Sequence, residues 1–376
     1  MQLCKEEVAR YSRHLIMPEV GMEGQLKLKS AKVLCVGTGG LGSPMAMYLA
    51  AAGVGQIGLI DSDVVDFSNL QRQLLHHTPD VGRSKVASAK EKLNAINPNV
   101  EIITHETMLT ADNAIEICSG YDIVADGTDN FPTRYLTNDV CVLLNKPNVH
   151  ASILRFEGQA SVFWAEKGPC YRCLYPEPPP AGEIPSCAEG GVLGILPGLL
   201  GVMQATEVIK LILGIGSPLI GRLFIFDALE MRSREMKLRK NPDCPVCSSR
   251  KQLLELSSPD YQATCEVDFG GTEEVTPAQL YALRQSRSDM LVLDVRDPHE
   301  WEICRIDGAV HVPLSELPDR IGELDKSQDI YVYCLAGSRS KKAQKLLADA
   351  GYSRVVNVAG GIRAWAKQVE PEMAVY

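Results

Sequence analysis

The 376-residue chain carries 38 Lys and Arg against 47 Asp and Glu, a formal net charge of −9, with 45% hydrophobic and 23% charged residues. This is ordinary globular composition, long enough for two domains, and the acidic balance gives no support to general nucleic-acid binding. The opening MQLCKEEVARYSRH is charged where an export signal needs an apolar core, so a cytoplasmic location is expected, and there the twelve cysteines point to metal or thiol chemistry rather than disulfides. Residues 5–30 read as a helix and a loop, with Arg10 and Arg13 one turn apart and so on one face. The stretch from Ala31 to Asp61 follows: an apolar β run, Val33 to Val36, then Gly37-Thr38-Gly39-Gly40-Leu41-Gly42, then a helix rich in Ala, Met and Leu. A second apolar run, Ile57 to Ile60, ends on Asp61. Strand, glycine turn, helix, strand and acid make a nucleotide-binding βαβ pattern. Gly37, Gly39, Gly40 and Gly42 permit a sharp turn and let phosphate approach the helix N-terminus, and Asp61 suits a ribose.

The polar stretch from Asp61 to Gln73 leads to Val81-Gly82-Arg83-Ser84-Lys85 and a helix that stops at Asn97-Pro98-Asn99. Strands are expected over residues 100–104 and 121–125, the second delivering Asp126-Gly127-Thr128-Asp129-Asn130 at its carboxyl end. Ligands of open α/β sheets bind beyond the carboxyl ends of strands, so the glycine loop, Asp61 and Asp129 converge on one crevice.

GTGGLG, SNLQRQ, VGRSKV and GTDN, in that order, resemble the E1-like adenylyltransferases that activate ubiquitin-like sulfur-carrier proteins, the MoeB/ThiF group, from about Arg10 to Cys247. The resemblance implies that the nucleotide is ATP and the product an acyl-adenylate on the carrier's C-terminal glycine. It places Gly40, Asp61, Ser68, Asn69, Arg72, Lys85, Asp129 and Asn130, with Leu70 and Gln71 in the same segment, against ATP or its metal. It also brings Arg13 to the phosphates from the other subunit of a homodimer. The residue types suit the chemistry. A carboxylate attacking an α-phosphate meets like charge, which Arg72, Lys85 and Arg13 would neutralise while Asp129 holds Mg²⁺.

Residues 157–163 read as a strand, followed by the CxxC pair Cys170 and Cys173. Cys244 and Cys247 repeat that spacing, and two such knuckles make a Cys₄ site for structural Zn²⁺ in preference to a redox dithiol. Between them, a Pro- and Gly-rich loop from Tyr175 ends at Cys187. A lone cysteine is commonly a buried hydrophobe, but Cys187 matches the family's loop cysteine, which implies a thioester or acyl-disulfide with the carrier. The apolar run from Gly190 to Met203, broken by Pro197, reads as a buried helix and its approach rather than a membrane span. A last strand covers residues 224–228, and residues 251–274 read as a linker between domains at 1–250 and 275–376.

In the second domain, Thr276 caps a helix with Pro277 at its first position. LDVRDPHEW, DGAVHVP and CLAGSRS, with VAGGIRAW at the close, resemble a rhodanese domain from about Thr276 to Gln368. Cys334 lies between a strand end and a helix N-terminus, where backbone N–H groups favour a thiolate and cradle a persulfide. Arg339 adds charge to stabilise the thiolate or orient an anionic donor. Four residues separate Cys334 from Arg339, one fewer than in cysteine phosphatases. Cys304-Arg305 replaces the family's usual Gly-His, and packing is expected of Cys304.

The expected fold is therefore α/β: a Rossmann-like E1/ThiF adenylation domain with a Cys₄ zinc site, followed by a smaller α/β rhodanese domain. Together they imply adenylylation of a Gly-Gly-ending carrier with ATP and Mg²⁺. Cys334 then transfers sulfur taken from thiosulfate or a desulfurase persulfide, giving a thiocarboxylate for molybdopterin, thiamine, cysteine or tRNA thiolation. The alternatives are an adenylyltransferase with an idle or docking rhodanese domain, a non-catalytic adaptor, and an NAD-dependent oxidoreductase with a rhodanese appendage. The last leaves Arg72, Lys85 and the GTDN segment without a role.

Overall fold

Apolar runs alternating with helical segments build two α/β units, dividing the chain as Met1–Ala263 and Thr264–Tyr376. The computed structural model describes residues 2–179, 190–248, 256, 261, 273–287 and 289–376. Cys187 lies outside the described residues, as does most of the expected linker. Of that linker, Leu256 packs into the core of the first unit and the Tyr261 hydroxyl donates to Asp139 at 2.6 Å.

The first unit opens with α1 (Lys5–Arg10), α2 (Ser12–Leu15) and α3 (Gly21–Ser30). This corrects the expectation of one helix carrying Arg10 and Arg13 on a shared face. Tyr11 leaves helical geometry (φ −94°, ψ 13°), its ring fills the space a side chain at Gly53 would need, and its hydroxyl accepts from Asn97 Nδ2 at 2.8 Å. Burying that ring decides the chain path over local helical preference.

Then come β1 (Lys32–Val36), α4 (Gly42–Ala52), β2 (Gln56–Ile60), α5 (Lys85–Ile96), β3 (Glu101–His105), α6 (Ala114–Ser119), β4 (Ile123–Asp126) and α7 (Phe131–Leu143). They are followed by β5 (Asn148–Leu154), β6 (Glu157–Phe163), α8 (Tyr171–Leu174), α9 (Ile195–Leu213), β7 (Arg222–Asp227) and β8 (Arg232–Lys237). The sheet order is β3-β2-β1-β4-β5-β6-β7-β8, parallel as far as β5 and antiparallel beyond. β1 therefore has β2 on one side and β4 on the other, and the chain leaves their carboxyl ends in opposite directions, opening a crevice. β8 is a strand not anticipated from the sequence: all its residues are exposed, so Arg232–Lys237 shows no apolar alternation to read.

By length and composition α9 resembles a membrane span. Its polar residues place it instead in the core of this unit. Gln204 Nε2 donates to the carbonyls of Asp126 (2.7 Å) and Val149 (3.0 Å), and Glu207 accepts from Leu219 N–H at 2.8 Å. The remaining face packs on α4 and on β5 and β6.

The second unit comprises β9 (Glu274–Val275), α10 (Pro277–Ser286), β10 (Met290–Asp294), α11 (Pro298–Ile303), β11 (Val310–His311), α12 (Leu317–Arg320), β12 (Asp329–Tyr333), α13 (Ser338–Asp349), β13 (Val355–Val358) and α14 (Gly361–Gln368). Its parallel sheet runs β11-β10-β12-β13-β9. Thr276 caps α10 as expected, accepting from Gln279 N–H at 3.3 Å while the Gln279 side chain accepts from Thr276 N–H at 2.8 Å.

A Cβ on Gly42 would lie 2.0 Å from the Gly37 carbonyl oxygen. Gly42→Ala is thus expected to force the loop apart and cost about 1–3 kcal/mol. Urea unfolding measures this, and an unchanged midpoint would contradict the steric account.

Candidate functional sites

At the carboxyl ends of β1, β2 and β4 lies a cavity of about 250 Å³ whose wall includes Gly37, Gly39, Gly40, Asp61, Arg72, Lys85, Asp129 and Asn130. Gly37 takes φ +87°, which turns the chain out of β1, while Gly42 closes the loop from beneath and opens α4. Asp61 anchors this loop: one carboxylate oxygen accepts from Thr38 N–H (2.9 Å) and Oγ1 (3.0 Å), the other from Asp63 N–H (3.0 Å). A carboxylate has about four acceptor positions, so capacity remains for a ribose. Asn130 caps α7 by accepting from Thr133 N–H at 2.9 Å, and Asp129 beside it is exposed.

Four residues of the SNLQRQ segment and two others lie outside the cavity wall. Ser68 and Asn69 close their own turn on Asp66, at 2.5 Å through Ser68 Oγ and 3.2 Å from Asp66 N–H to Asn69 Oδ1. Leu70 follows in that turn, and Gln71 abuts Gly194 just before α9. Gly42 belongs to the loop base, and Arg13 is exposed on α2.

Three residues passed over in the sequence do line the cavity: Asp63, Gln73 and Arg134. Asp63 pairs with the buried Lys85 at 2.8 Å, and Arg134 Nη2 donates to the Thr128 carbonyl at 3.1 Å. A signal for Arg134 existed, because it stands four residues after Asn130 and so on the same helix face. Arg72, Lys85 and Arg134 thus bring three cations to one small cavity.

Behind the loop, Asp126 at the end of β4 accepts from Thr128 N–H (3.0 Å) and Oγ1 (2.6 Å), and its second oxygen meets His150 Nδ1 at 2.8 Å. Burial pushes the His150 imidazole down, against the Asp126 hydrogen bond and charge that pull it up. Burial works to raise the Asp126 carboxyl, but the His150 hydrogen bond and charge, with help from Thr128, hold it below the usual range. The turn delivering Asp129 is thereby held from below.

The two CxxC knuckles meet. Cys170 Sγ lies 3.9 Å from Cys173 and 3.5 Å from Cys244, and Cys173 lies 3.6 Å from Cys247. These separations exceed an S–S bond and match the edge of a tetrahedron with metal–sulfur distances of about 2.3 Å, so the four thiols fit Zn²⁺. Arg172, inside the first knuckle, grips the buried Asp139 of α7 through Nε (3.0 Å) and Nη2 (2.8 Å). Asn138 accepts from Tyr171 N–H at 2.7 Å, so the knuckle is fastened to the helix whose N-terminus follows Asp129 and Asn130.

In the second unit, Cys334 is fully buried at the end of β12. Its Sγ accepts from Gly337 N–H at 3.1 Å and from Ser340 Oγ at 3.4 Å. Ile362 and Arg363 N–H groups bind the Cys334 (2.9 Å) and Leu335 (3.2 Å) carbonyls, so the start of α14 supports the loop. Arg339 is placed differently from a guanidinium aimed at a donor: its fork is bidentate to Glu300, at 2.5 and 2.7 Å. Glu300, unmarked by the sequence reading, is nearly fully buried. Burial raises its carboxyl, but Arg339 and the Tyr376 hydroxyl hold it down to about 2. Cys304 packs against the core cluster around Trp365, with its carbonyl accepting from Arg296 Nη2 at 2.6 Å.

Two outcomes are expected. Cys173→Ser and Cys247→Ser should each abolish zinc retention in the purified protein by metal analysis, with a lower melting temperature; full retention in both would exclude a Cys₄ site. Glu300 has an ordinary carboxyl value of 4.5 and a folded value of about 2, so its contribution is complete above pH 4.5 and is lost as pH falls towards 2. At about 1.4 kcal/mol per unit this is on the order of 3 kcal/mol. Glu300→Gln should flatten the acid dependence of unfolding in that window, and an identical slope would refute the assignment.

The profile of the ThiF family matches residues 11–246, and that of the rhodanese-like domain matches residues 276–368. The "Probable adenylyltransferase/sulfurtransferase MoeZ" of Mycobacterium tuberculosis is 49% identical over 386 residues, spanning 100% of this chain and 96% of its own. The "Adenylyltransferase and sulfurtransferase MOCS3" of Bos taurus is 44% identical over 405 residues, spanning 100% of this chain and 89% of its own. Among solved structures, E. coli MccB with ATP shares the fold, with a TM-score of 0.56 at 24% identity over 64% of this chain and 74% of that one. The chain belongs to the ThiF family, joined to a C-terminal rhodanese-like domain, and is an enzyme of the adenylyltransferase and sulfurtransferase kind.

Proposed function

We propose that the first unit adenylylates the C-terminal glycine of a ubiquitin-like sulfur-carrier protein ending in Gly-Gly, and that Cys334 supplies the sulfur that turns it into a thiocarboxylate. The observation that carries this reading is the convergence of the glycine loop, Asp61 and three cations on one cavity at the switch point of the sheet. ATP is the substrate that fits it: Gly39 and Gly40 leave the wall free of side chains where phosphates approach, and Asp61 accepts from the ribose.

The carrier carboxylate attacks the α-phosphorus, the bond to the β-phosphate oxygen breaks, and pyrophosphate leaves. Arg72, Lys85 and Arg134 stabilise the charge gathering on the phosphate oxygens, and Arg13 of the partner subunit completes the cluster in a homodimer. Lys85 exchanges Asp63 for phosphate as ATP enters. Asp129 holds Mg²⁺, which spreads charge over the phosphates. No general base is needed, since the nucleophile is already an anion. Zn²⁺ on the four cysteines ties the domain together and takes no part in the chemistry.

Cys334 accepts sulfane sulfur from thiosulfate or a desulfurase persulfide. The outer sulfur attacks the acyl carbon and AMP leaves, which gives an acyl disulfide on Cys334. An external thiol then attacks Cys334 Sγ, the S–S bond breaks to release the thiocarboxylate, and a second thiol reduces the mixed disulfide to restore Cys334. Cys187, through a thioester or acyl-disulfide, takes part in passing the carrier to its thiocarboxylate form. The reactions take place in the cytoplasm and feed sulfur into molybdopterin or thiolated tRNA.

The test is the intact mass of a Gly-Gly-ending carrier after incubation with the protein, MgATP and thiosulfate. A gain equal to exchanging one oxygen for sulfur is expected, lost in Cys334→Ala with carrier-dependent ATP–pyrophosphate exchange retained. Arg72→Ala should lower that exchange by about 100-fold or more. Absence of both exchange and mass gain across Gly-Gly-ending carriers would overturn the reading.

A further inference from the structure

Tyr376 sits at a junction that the proposed chemistry does not yet use. Its hydroxyl donates to Glu300 Oε1 at 2.6 Å and accepts from Arg296 Nη1 at 3.0 Å. Arg296 is fully buried and bidentate to Asp294, so it cannot give up that geometry freely. It fills the acceptor side of the phenol and so directs the phenolic proton to Glu300. Burial pushes the phenol up, with Glu300 adding to it, which keeps the proton in place. Glu300 is then bound from three directions, by Tyr376, by Asp297 N–H at 2.8 Å and by both arms of Arg339.

Both routes out of Tyr376 end on the Cys334 loop. One runs through Glu300 to Arg339 in the first turn of α13, the turn that also presents Ser340 to Cys334 Sγ. The other runs from the Tyr376 carbonyl, which accepts from Arg363 Nε at 2.9 Å, to the Arg363 N–H that holds the Leu335 carbonyl. The segment is thus bonded to both ends of the loop whose Gly337 N–H faces the sulfur. Simple packing would account for the ring but not for a hydroxyl with two charged partners.

We propose that Tyr376 is a positioning residue for sulfur transfer: its hydroxyl sets Glu300, and through Glu300 the Arg339 end of the loop that cradles the Cys334 sulfur. This rests on Cys334 being the sulfur-carrying thiol. A loop held at both ends keeps Gly337 N–H and Ser340 Oγ aimed at Sγ while the outer sulfur is received and passed on, so the hydroxyl acts on turnover rather than on donor affinity.

The test is sulfur transfer from thiosulfate to cyanide by the full chain, which releases sulfite and thiocyanate, with rates expressed per Cys334 found as persulfide by intact mass. Tyr376→Phe keeps the ring and removes the two hydrogen bonds. It is expected to lower kcat about tenfold while KM for thiosulfate stays within about twofold. Glu300→Gln should lower kcat comparably, and the double variant should lose little more, because both changes act through one contact. An unchanged kcat in Tyr376→Phe, or losses that multiply in the double variant, would overturn the proposal while Cys334 chemistry stood. A wild-type protein that forms no thiocyanate, or a Cys334→Ser variant that does, would remove the sulfur-transfer reading and this inference with it.

Discussion

A buried parallel strand that passes directly into a helix leaves the first N–H groups of that helix unpaired, pointing beyond the sheet edge. Both units are organised around this constraint. In the first, β1 turns through Gly37 to Gly42 into α4, beside a cavity lined by Arg72, Lys85 and Arg134. In the second, β12 turns through Cys334 to Gly337 into α13, and Gly337 N–H points at a sulfur atom. The two turns differ in what they leave open. The glycine-rich turn leaves Gly39 and Gly40 on an open cavity wall, whereas the Cys334 turn closes on one atom of its own residue.

The constraint is useful only where the turn holds its shape, and in each unit buried charge sees to that. Asp126 and His150 support the turn to Asp129, and Arg172 with Asp139 fixes the cysteine knuckle to α7. Asp294, Arg296, Glu300 and Arg339 do the same beneath Cys334. Buried ion pairs contribute little net stability, since desolvation offsets their attraction. Their value here is geometric: each is bidentate or capped by further hydrogen bonds, so an alternative turn would strand a charge. The Cys₄ cluster acts in the same way, joining residues far apart in the chain to one helix.

Sulfur transfer to an adenylate requires an activated carboxylate to survive until a persulfide reaches it. The two chemistries ask for opposite electrostatics. The cavity of the first unit concentrates cations, with Arg72, Lys85 and Arg134 in its wall. The Cys334 loop pairs its guanidinium with a carboxylate, and Gly337 N–H and Ser340 Oγ donate to the sulfur.

Features that depend on neighbours in the chain were legible in the sequence: the βαβ pattern with its glycine loop, the CxxC spacings, the cap at Thr276 and the Cys334 turn. Such features follow from backbone geometry over a few residues, and local sequence encodes that geometry directly. The division of the N-terminal helix at Tyr11 was not, because it comes from burying a ring against Gly53 and Asn97. Nor did composition disclose that β8 is a strand, since an exposed edge has no apolar alternation. Asp63, Gln73 and Arg134 line the cavity, while Ser68 and Asn69 turn inward on Asp66, because side-chain direction in an irregular turn follows its own hydrogen bonds. Arg339 could be found from spacing alone, but its partner could not. Which carboxylate meets a guanidinium depends on where α11 and Tyr376 come to rest, and tertiary packing alone decided that.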